Sequence, residues 1–268
     1  MSLKSLHPWE GYMEPFRLWG NIYFVGTKPA STHVIDTGAG LIMIDPGYQH
    51  SLYLVLENMC KVGLDPMDIK YIVHTHGHID HCGATRALVE MTGAKTFLGE
   101  ADKDYVNGVL PLSCATELGL DLETFEADVL INDGDTITLG NTTLTAIATP
   151  GHTPGAMGFV FETEQDGRKL IAGIHGGAGI KSLSKHWLDK YNLPYSYRDD
   201  YFNTVEKLKK LKIDIYLGNH VGQNKTPAKY QQLMEGNKDA FVDPNGLAEF
   251  VENCRIRLLA QIEEENQQ

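Results

Sequence analysis

The sequence of 268 residues predicts an α/β protein with layered helices and mixed β-sheets. Three observations support this fold class. Short β-rich segments and helical periodicities follow one another along the chain. Hydrophobic residues make up 42% of the sequence, and several histidines stand directly after apolar segments, where α/β frameworks carry functional groups. We interpret residues 1–268 as one domain with a sizeable core, although the length alone would permit two.

The first half of the chain predicts strands with helices between them. β-rich patterns predict strands over residues 21–26, 33–36, 41–44, 69–73 and 96–98. Apolar residues at helical spacing predict helices over residues 51–62 and 81–92. The second of these helices directly follows a loop rich in histidine.

The second half predicts another group of strands and then two long helices. Strands are expected over residues 128–131, 136–139, 143–149, 157–162, 169–172 and 213–217, with the turn signal Asn132-Asp133-Gly134 among them. Val205, Leu208 and Leu211 recur at helical spacing and predict a helix over residues 201–211. The last helix is expected over residues 247–265. Periodicity alone does not distinguish between the layered α/β designs that this order permits.

The segment His76-Gly77-His78-Ile79-Asp80-His81 predicts a metal site, and two metals rather than one. Residues two apart in an extended segment point the same way, so His76 and His78 can converge on one ion. Asp80 and His81 can then serve a second ion. Imidazoles with one carboxylate suit zinc or iron better than magnesium or calcium, and zinc is the metal we expect.

Two later histidines strengthen this interpretation. His152 and His220 also follow apolar segments, in Pro150-Gly151-His152-Thr153-Pro154-Gly155 and Gly218-Asn219-His220. A pair of histidines alone could be a surface or core feature. Four ligand-type residues within one short segment, with further histidines at other strand ends, favour a metal centre.

Together the two histidine motifs resemble those of the metallo-β-lactamase superfamily. Further segments are similar to the third subclass of zinc β-lactamases: residues 15–26, 41–47, 200–211 and 237–244. The resemblance spans most of residues 15–262. It implies a four-layer αββα sandwich, a first zinc on His76, His78 and His152, and a second zinc on Asp80, His81 and His220. From the chemistry of such a site, we expect Asp80 to bind one zinc and to orient the nucleophile.

The region of His175 departs from the family pattern. Many hydrolases of the superfamily place a bridging aspartate here, whereas this chain reads Ala172-Gly173-Ile174-His175-Gly176-Gly177. The third subclass also lacks that aspartate, so its absence favours a lactamase over thioesterase-like and phosphodiesterase-like relatives. Two roles are open for His175: a bond to the second metal, or a hydrogen bond to a ligand or substrate.

The expected chemistry is hydrolysis by a metal-bound hydroxide, most simply of a cyclic amide of the β-lactam kind. Lactones, thioesters and phosphoesters are alternative substrates. A diiron oxidoreductase and a non-catalytic metal-binding protein are more remote alternatives. A serine hydrolase is disfavoured because the chain has no Gly-x-Ser-x-Gly motif.

Composition excludes several other classes. The net charge of −12 disfavours nucleic acid and anionic membranes as partners and leaves a small-molecule substrate. No apolar run is long enough to span a bilayer, and Met1-Ser2-Leu3-Lys4 lacks the apolar core of a signal peptide. The chain as it stands is expected to be soluble and cytoplasmic, or secreted or periplasmic if a signal peptide was removed. The sequence does not indicate the oligomeric state.

Three other features carry two interpretations each. Cys82 follows His81 directly, but we expect it to pack in the core rather than bind metal. The segment 176–198, with Trp187 and several tyrosines, could line the site or pack onto the domain. The apolar stretch 109–112 could form a second wall or an oligomer contact.

Overall fold

The computed structural model describes residues 7–267, in which two β-sheets lie face to face. The N-terminal residues 1–4, for which the sequence predicts no signal-peptide core, lie outside the described residues. The first sheet has seven strands in chain order: β1 (Phe16–Trp19), β2 (Ile22–Phe24), β3 (His33–Asp36), β4 (Leu41–Ile44), β5 (Ile69–Val73), β6 (Lys95–Gly99) and β7 (Val129–Ile131). Strands β1 to β4 are antiparallel, and β4 to β7 are parallel.

The second sheet has five strands in the order β12-β11-β10-β9-β8. They are β8 (Thr136–Leu139), β9 (Thr142–Ala148), β10 (Met157–Gln165), β11 (Arg168–Ile174) and β12 (Ile215–Leu217). Within this second sheet only β11 and β12 pair in parallel, because a helical segment separates them in the chain. The carboxyl ends of β5, β9, β11 and β12 each lead into a segment with one or more of the predicted site residues.

Helices cover the outer face of each sheet. The α-helices of the described residues are α1 (Leu52–Lys61), α2 (Ile79–Cys82), α3 (Thr85–Thr92), α4 (Lys103–Val106), α5 (Ala115–Leu118), α6 (Lys185–Lys190), α7 (Ser196–Leu208), α8 (Thr226–Met234) and α9 (Gly246–Asn266). Helices α1 and α3 pack on the first sheet through residues such as Val55 and Leu88. Helices α7 and α9 pack on the second through residues such as Val205 and Leu258.

The main hydrophobic core lies between the two sheets. It combines side chains of the first sheet, such as Phe24 and Ile42, with side chains of the second, such as Phe159 and Ile215, all fully buried. Alternate residues of each strand face this core, as the period of a β-strand requires. The layer order is therefore helix, sheet, sheet, helix, and the predicted αββα sandwich is confirmed.

The predicted helix over residues 81–92 is divided in the structure. Helix α2 ends at Cys82 and α3 begins at Thr85. Between them the backbone N–H of Ala84 donates to the carbonyl of Gly47, a long-range bond that replaces a helical one. His81, in α2, has its ring centroid 4.1 Å from that of His76.

Helix α8 has no counterpart among the predicted elements. Its sequence has no apolar stripe, and only Thr226 and Lys229 in it are buried. Pro227 at its first turn supports the helix start, since proline is tolerated there. Within residues 7–267, none of the helices combines the length and apolar character that crossing a membrane requires.

Candidate metal centre

The histidine motif forms a loop between the end of β5 and helix α2. His76 and His78 lie in the loop, and Asp80 and His81 lie in α2. One ligand-type atom from each of His76, His78 and His152 lies within 4.8 Å of the others. The same holds for His76, Asp80 and His81. The two groups share His76, so the structure brings the predicted residues around one centre.

His220 completes this centre from the second sheet. It follows β12, and its Nε2 lies 3.6 Å from Oδ2 of Asp80. Its ring is perpendicular to that of His81, with centroids 5.1 Å apart. The six residues line one cleft of about 300 Å³. Both sheets contribute to the cleft, so the arrangement depends on how they pack.

Three of the histidines are oriented by main-chain carbonyls. In each, Nδ1 bonds to a carbonyl oxygen: His76 to Gly176 at 2.8 Å, His152 to Gly179 at 2.6 Å and His220 to Pro29 at 2.6 Å. A carbonyl can only accept, so Nδ1 carries the proton in these bonds. Each Nε2 is then left with a free lone pair. That is the tautomer a metal-binding imidazole needs, with its other nitrogen donating to an acceptor behind it.

Asp45 orients His81 in the same way. Its Oδ2 accepts from Nδ1 of His81 at 2.8 Å and from the hydroxyl of Thr75 at 2.6 Å, while Oδ1 accepts from the backbone N–H of Thr75 at 2.7 Å. Nε2 of His81 is buried and lies 3.3 Å from Oδ2 of Asp80, a contact without hydrogen-bond geometry. Burial favours the neutral ring, but the charges of Asp80 and Asp45 outweigh it and raise the pKa of His81 to about 10. A metal ion would take the place of the proton on this nitrogen.

Burial and neighbouring charges determine the protonation states of the site histidines and of Asp80. Burial lowers the pKa of His152 to about 4 and holds the pKa of His76 and His78 well below the usual value. Burial opposes ionisation of Asp80, but the charges of His81 and His220 outweigh it and hold the pKa of this carboxyl well below its usual range. Neutral imidazoles and an ionised carboxylate are the forms that bind metals.

Asp102 joins the two loops that carry the first group. Its Oδ2 accepts from the backbone N–H of Gly77 and from the hydroxyl of Thr153, and its Oδ1 accepts from the backbone N–H of Gly155. Asp102 is fully buried. Burial raises its pKa to about 6, although the three hydrogen bonds favour the ionised form. The carboxylate thus ties the loop of His76 to the loop of His152.

His175 lies in neither group of ligand-type atoms within residues 7–267. It follows the last residue of β11, and its ring turns towards the outer helices, where it stacks on Phe250 with centroids 5.4 Å apart and contacts Tyr216. Its Nε2 lies 3.2 Å from Oε1 of Gln223. The structure thus does not bring His175 into the metal-ligand groups, and its ring instead contacts Phe250 and Gln223, which themselves line the cleft.

The remaining predicted features divide between core and cleft. Cys82 is fully buried, and its thiol donates to the carbonyl of Gly77, as packing predicts. Trp187 lines the cleft and also packs in a hydrophobic cluster with Cys82. In the apolar stretch 109–112, Val109 and Leu110 are exposed and Leu112 is buried. None of these three lines the cleft.

Sequence reasoning missed Asp45 and Asp102. A signal for Asp45 existed, because it directly follows β4, the parallel neighbour of the strand that leads into the histidine loop. Carboxyl ends of neighbouring parallel strands meet at one sheet edge. Asp102 gave no such signal, because the run Glu100-Ala101-Asp102-Lys103 looks like an exposed charged turn.

Comparison with solved structures shows close similarity along nearly the whole chain. BJP-1, a subclass B3 metallo-β-lactamase of Bradyrhizobium japonicum, is 30% identical with a TM-score of 0.89, and the match covers 98% of each chain. The metallo-β-lactamase GOB-18 from Elizabethkingia meningoseptica is 30% identical with a TM-score of 0.83, covering 96% of this chain and 94% of that one. Both likenesses agree with the αββα fold and with a metal-dependent hydrolase.

Curated relatives match over shorter stretches. An uncharacterized protein of Aquifex aeolicus is 35% identical over 142 residues, which are 52% of this chain and 62% of the relative. The acyl-coenzyme A thioesterase MBLAC2 of Homo sapiens is 28% identical over 190 residues, 65% of this chain and 62% of the relative. The chain thus spans less than two thirds of the length of these relatives. The family model of the metallo-β-lactamase superfamily matches residues 25–220, and the chain belongs to this superfamily of metal-dependent hydrolases.

Proposed function

We propose that the chain is a zinc-dependent hydrolase that opens a cyclic amide of the β-lactam kind. In this proposal His76, His78 and His152 hold one zinc ion, and Asp80, His81 and His220 hold a second. The observation that carries it is the convergence of ligand-type atoms in one cleft, within 4.8 Å of one another in each of two groups that share His76. Bound zinc lowers the pKa of a coordinated water to about 7 and polarises a carbonyl oxygen.

In this proposal, the chain's own residues orient the metal-binding rings and provide a hydrogen-bond acceptor for the nucleophile. Asp80 stays ionised between His81 and His220 and lies at the cleft surface. Its carboxylate can bind one ion and accept a hydrogen bond from the attacking nucleophile, which orients that nucleophile. The bonds from Nδ1 of the histidines to the main chain keep the rings in place, so little reorganisation is needed during the reaction.

The preference for a lactam comes from the similarity to BJP-1 and GOB-18, which covers nearly the whole chain. The absence of a carboxylate from residues 173–177 also favours it over the thioesterase-like and phosphodiesterase-like members. Thioester hydrolysis is the second candidate, because the thioesterase MBLAC2 is among the curated relatives. Its match covers a smaller part of the chain.

Elemental analysis and turnover measurements test the proposal together. The purified protein should contain zinc and hydrolyse a chromogenic cephalosporin, and a chelator should remove both properties. Parallel assays with a lactone, an acyl thioester and a phosphodiester assign the substrate class. A zinc-loaded protein that hydrolyses only the thioester would replace the lactam by the second candidate, and a protein that binds no zinc would contradict the proposal altogether.

Substitution of His78 tests the site itself. His78→Ala should lower bound zinc and reduce hydrolysis by at least about a hundredfold, because a ligand of the first ion is lost. The fold should persist, since the surrounding core is unchanged. His186→Ala is the matched control, because His186 is exposed in α6 and lies outside the cleft. Equal zinc content in the His78→Ala and His186→Ala proteins would contradict the assignment.

A further inference from the structure

We propose that Gln223 presents its side-chain NH2 group to a carboxylate of the substrate, in an orientation fixed by His175 and by the backbone of His220. This inference rests on the proposed hydrolase function. It gives His175 a positioning role and makes Gln223 a specificity residue. It predicts that preferred substrates carry a carboxylate beside the scissile bond.

The orientation of the Gln223 amide follows from its hydrogen bonds. The backbone N–H of His220 donates to Oε1 of Gln223 at 3.1 Å. A backbone N–H is an obligate donor, so the atom facing it must be the amide oxygen and not the NH2 group. Within residues 7–267, the nitrogen of this amide has no hydrogen-bond acceptor. The NH2 group is therefore available to a ligand.

The same oxygen fixes the tautomer of His175. Nε2 of His175 lies 3.2 Å from Oε1 of Gln223, so Nε2 must carry a proton to donate. Nδ1 of His175 is buried without a partner among the described residues. Burial lowers the pKa of His175 to about 3, and the ring is neutral with a bare Nδ1. His175 thus acts as a fixed donor that holds the Gln223 oxygen away from solvent.

The stack of His175 on Phe250 makes this donor rigid. The two rings lie at 20° to each other, and Phe250 comes from α9. Both Phe250 and Gln223 line the cleft, although His175 itself does not. The backbone N–H of Gln223 also donates to the carbonyl of His220 at 3.0 Å, which closes the turn between them. The amide therefore stands beside a ligand of the proposed second zinc.

The charge of the cleft points to an anionic acceptor. Lys181 and Arg257 line the same cleft, and neither forms an ion pair with another described residue. The side-chain amide of Gln261, one helical turn beyond Arg257, donates to the carbonyl of Ile180, the residue before Lys181. In a protein of net charge −12, unpaired cations beside metal ligands favour a carboxylate over a neutral oxygen.

Two substitutions of Gln223 distinguish the role of its NH2 group from that of its oxygen, which His175 and the backbone of His220 hold in place. Gln223→Glu keeps an oxygen for His175 and His220 and replaces the NH2 group by a second oxygen. Gln223→Met removes both functions without adding charge. Gln232→Glu adds the same charge on the exposed face of α8 and serves as the control. Zinc content and the visible spectrum of the cobalt-substituted protein show whether each variant still binds metal at the His220 side.

Binding of mercaptoacetate and of its methyl ester to the zinc-loaded proteins gives a readout independent of turnover. Both probes offer a thiolate to zinc, and only the first carries a carboxylate. Wild type and Gln232→Glu should bind mercaptoacetate more tightly than the ester. This preference should fall about tenfold in Gln223→Met, because one charge-assisted hydrogen bond to the carboxylate is lost. It should fall at least as much in Gln223→Glu.

His175→Phe tests whether the N–H of His175 orients Gln223, because it keeps an aromatic ring on Phe250 and removes this donor. Its preference for mercaptoacetate should fall between those of wild type and Gln223→Met, with unchanged zinc content. A preference that stays at the wild-type value in Gln223→Met and Gln223→Glu would overturn the inference while leaving the hydrolase proposal standing. A wild-type protein that binds no zinc would overturn both. A loss of zinc from His175→Phe would overturn the positioning role, since His175 would then act as a metal ligand.

Discussion

At the scale of single residues, the candidate site depends on acceptors that lie behind the imidazoles. Asp45 is the only carboxylate among them, and it binds Thr75 as well as His81. Its backbone has a positive φ of 53°, which is uncommon for a residue other than glycine. A strained backbone at this position is consistent with a functional demand on the side chain.

We expect Asp45→Asn to weaken zinc binding by about 10- to 100-fold, because an amide presents one oxygen where the carboxylate offers two. The His81 ring would then lose the acceptor of its Nδ1 proton, or it would adopt the other tautomer. Competition with a chromophoric zinc chelator measures the change. Asp68→Asn, on the exposed surface, is the control. Identical zinc affinity in the two variants would remove Asp45 from the metal centre.

Asp102 predicts a distinct pH dependence of stability. Its pKa is raised to about 6 in the folded protein from an ordinary value of 3.8, so the native state holds this proton more tightly than the unfolded state. The stabilisation that protonation contributes is fully present below about pH 4 and is lost as the pH rises through about 6. In the metal-free protein, the free energy of unfolding of wild type relative to Asp102→Asn should be larger at pH 5 than at pH 7.5. Urea unfolding measures it, and a difference that grows with pH would contradict the burial argument.

Spacing alone predicts only part of the candidate site, since His152 and His220 are assigned through the resemblance to the superfamily. His76, His78, Asp80 and His81 share one short segment from the loop after β5 into α2, so their spacing is enough to group them. Gln223 and Asp102 could not be predicted this way. Gln223 contacts His175 across 48 residues, at the ends of two strands of the second sheet, and Asp102 contacts Gly155 across 53 residues and between the two sheets.

At the scale of elements, the segment after β11 brings main-chain acceptors to the imidazoles of the candidate metal centre. Gly176 and Gly179 supply carbonyls to His76 and His152. A Cβ at Gly177 would lie 2.3 Å from Cδ2 of His152. The glycines therefore allow the main chain to approach the imidazoles closely enough to orient them.

Gly177→Ala should displace the His152 ring and lower zinc affinity and turnover, each by about tenfold or more, with little loss of secondary structure. Gly222→Ala is the matched control, because a Cβ there would meet no atom within 4 Å and Gly222 has an ordinary φ. Zinc titration and circular dichroism of both variants test this. An unaffected Gly177→Ala protein would mean that the loop can move without cost to the centre.

Strands were the elements best predicted from the sequence, and short helices the worst. The bounds of β3, β4, β5 and β8 match the predicted ranges, because each has β-rich residues between clear turn signals. Helices α4, α5 and α6 have four to six residues, too few for a helical period to be recognised. Their formation depends on tertiary contacts such as the packing of Tyr105 and Trp187.

At the scale of the whole molecule, the shared core leads us to propose that residues 1–268 form one cooperative unit. The central cluster takes side chains from both sheets, and the proposed ligands come from both as well. Thermal unfolding should therefore show a single transition, and zinc should raise its midpoint, since ligands of the native state stabilise it by mass action. Calorimetry with and without zinc measures this. Two separate transitions, only one of them sensitive to zinc, would contradict it.

The attachment of the imidazoles to the main chain has a consequence for how such a protein can diversify. Carbonyl groups of Pro29, Gly176 and Gly179 are present whatever side chains evolve around them. Mutations that reshape the rim therefore leave the basicity of these three rings largely untouched. New specificities can arise by substitution of residues that line the cleft, while the main chain keeps the three imidazoles in the same orientation.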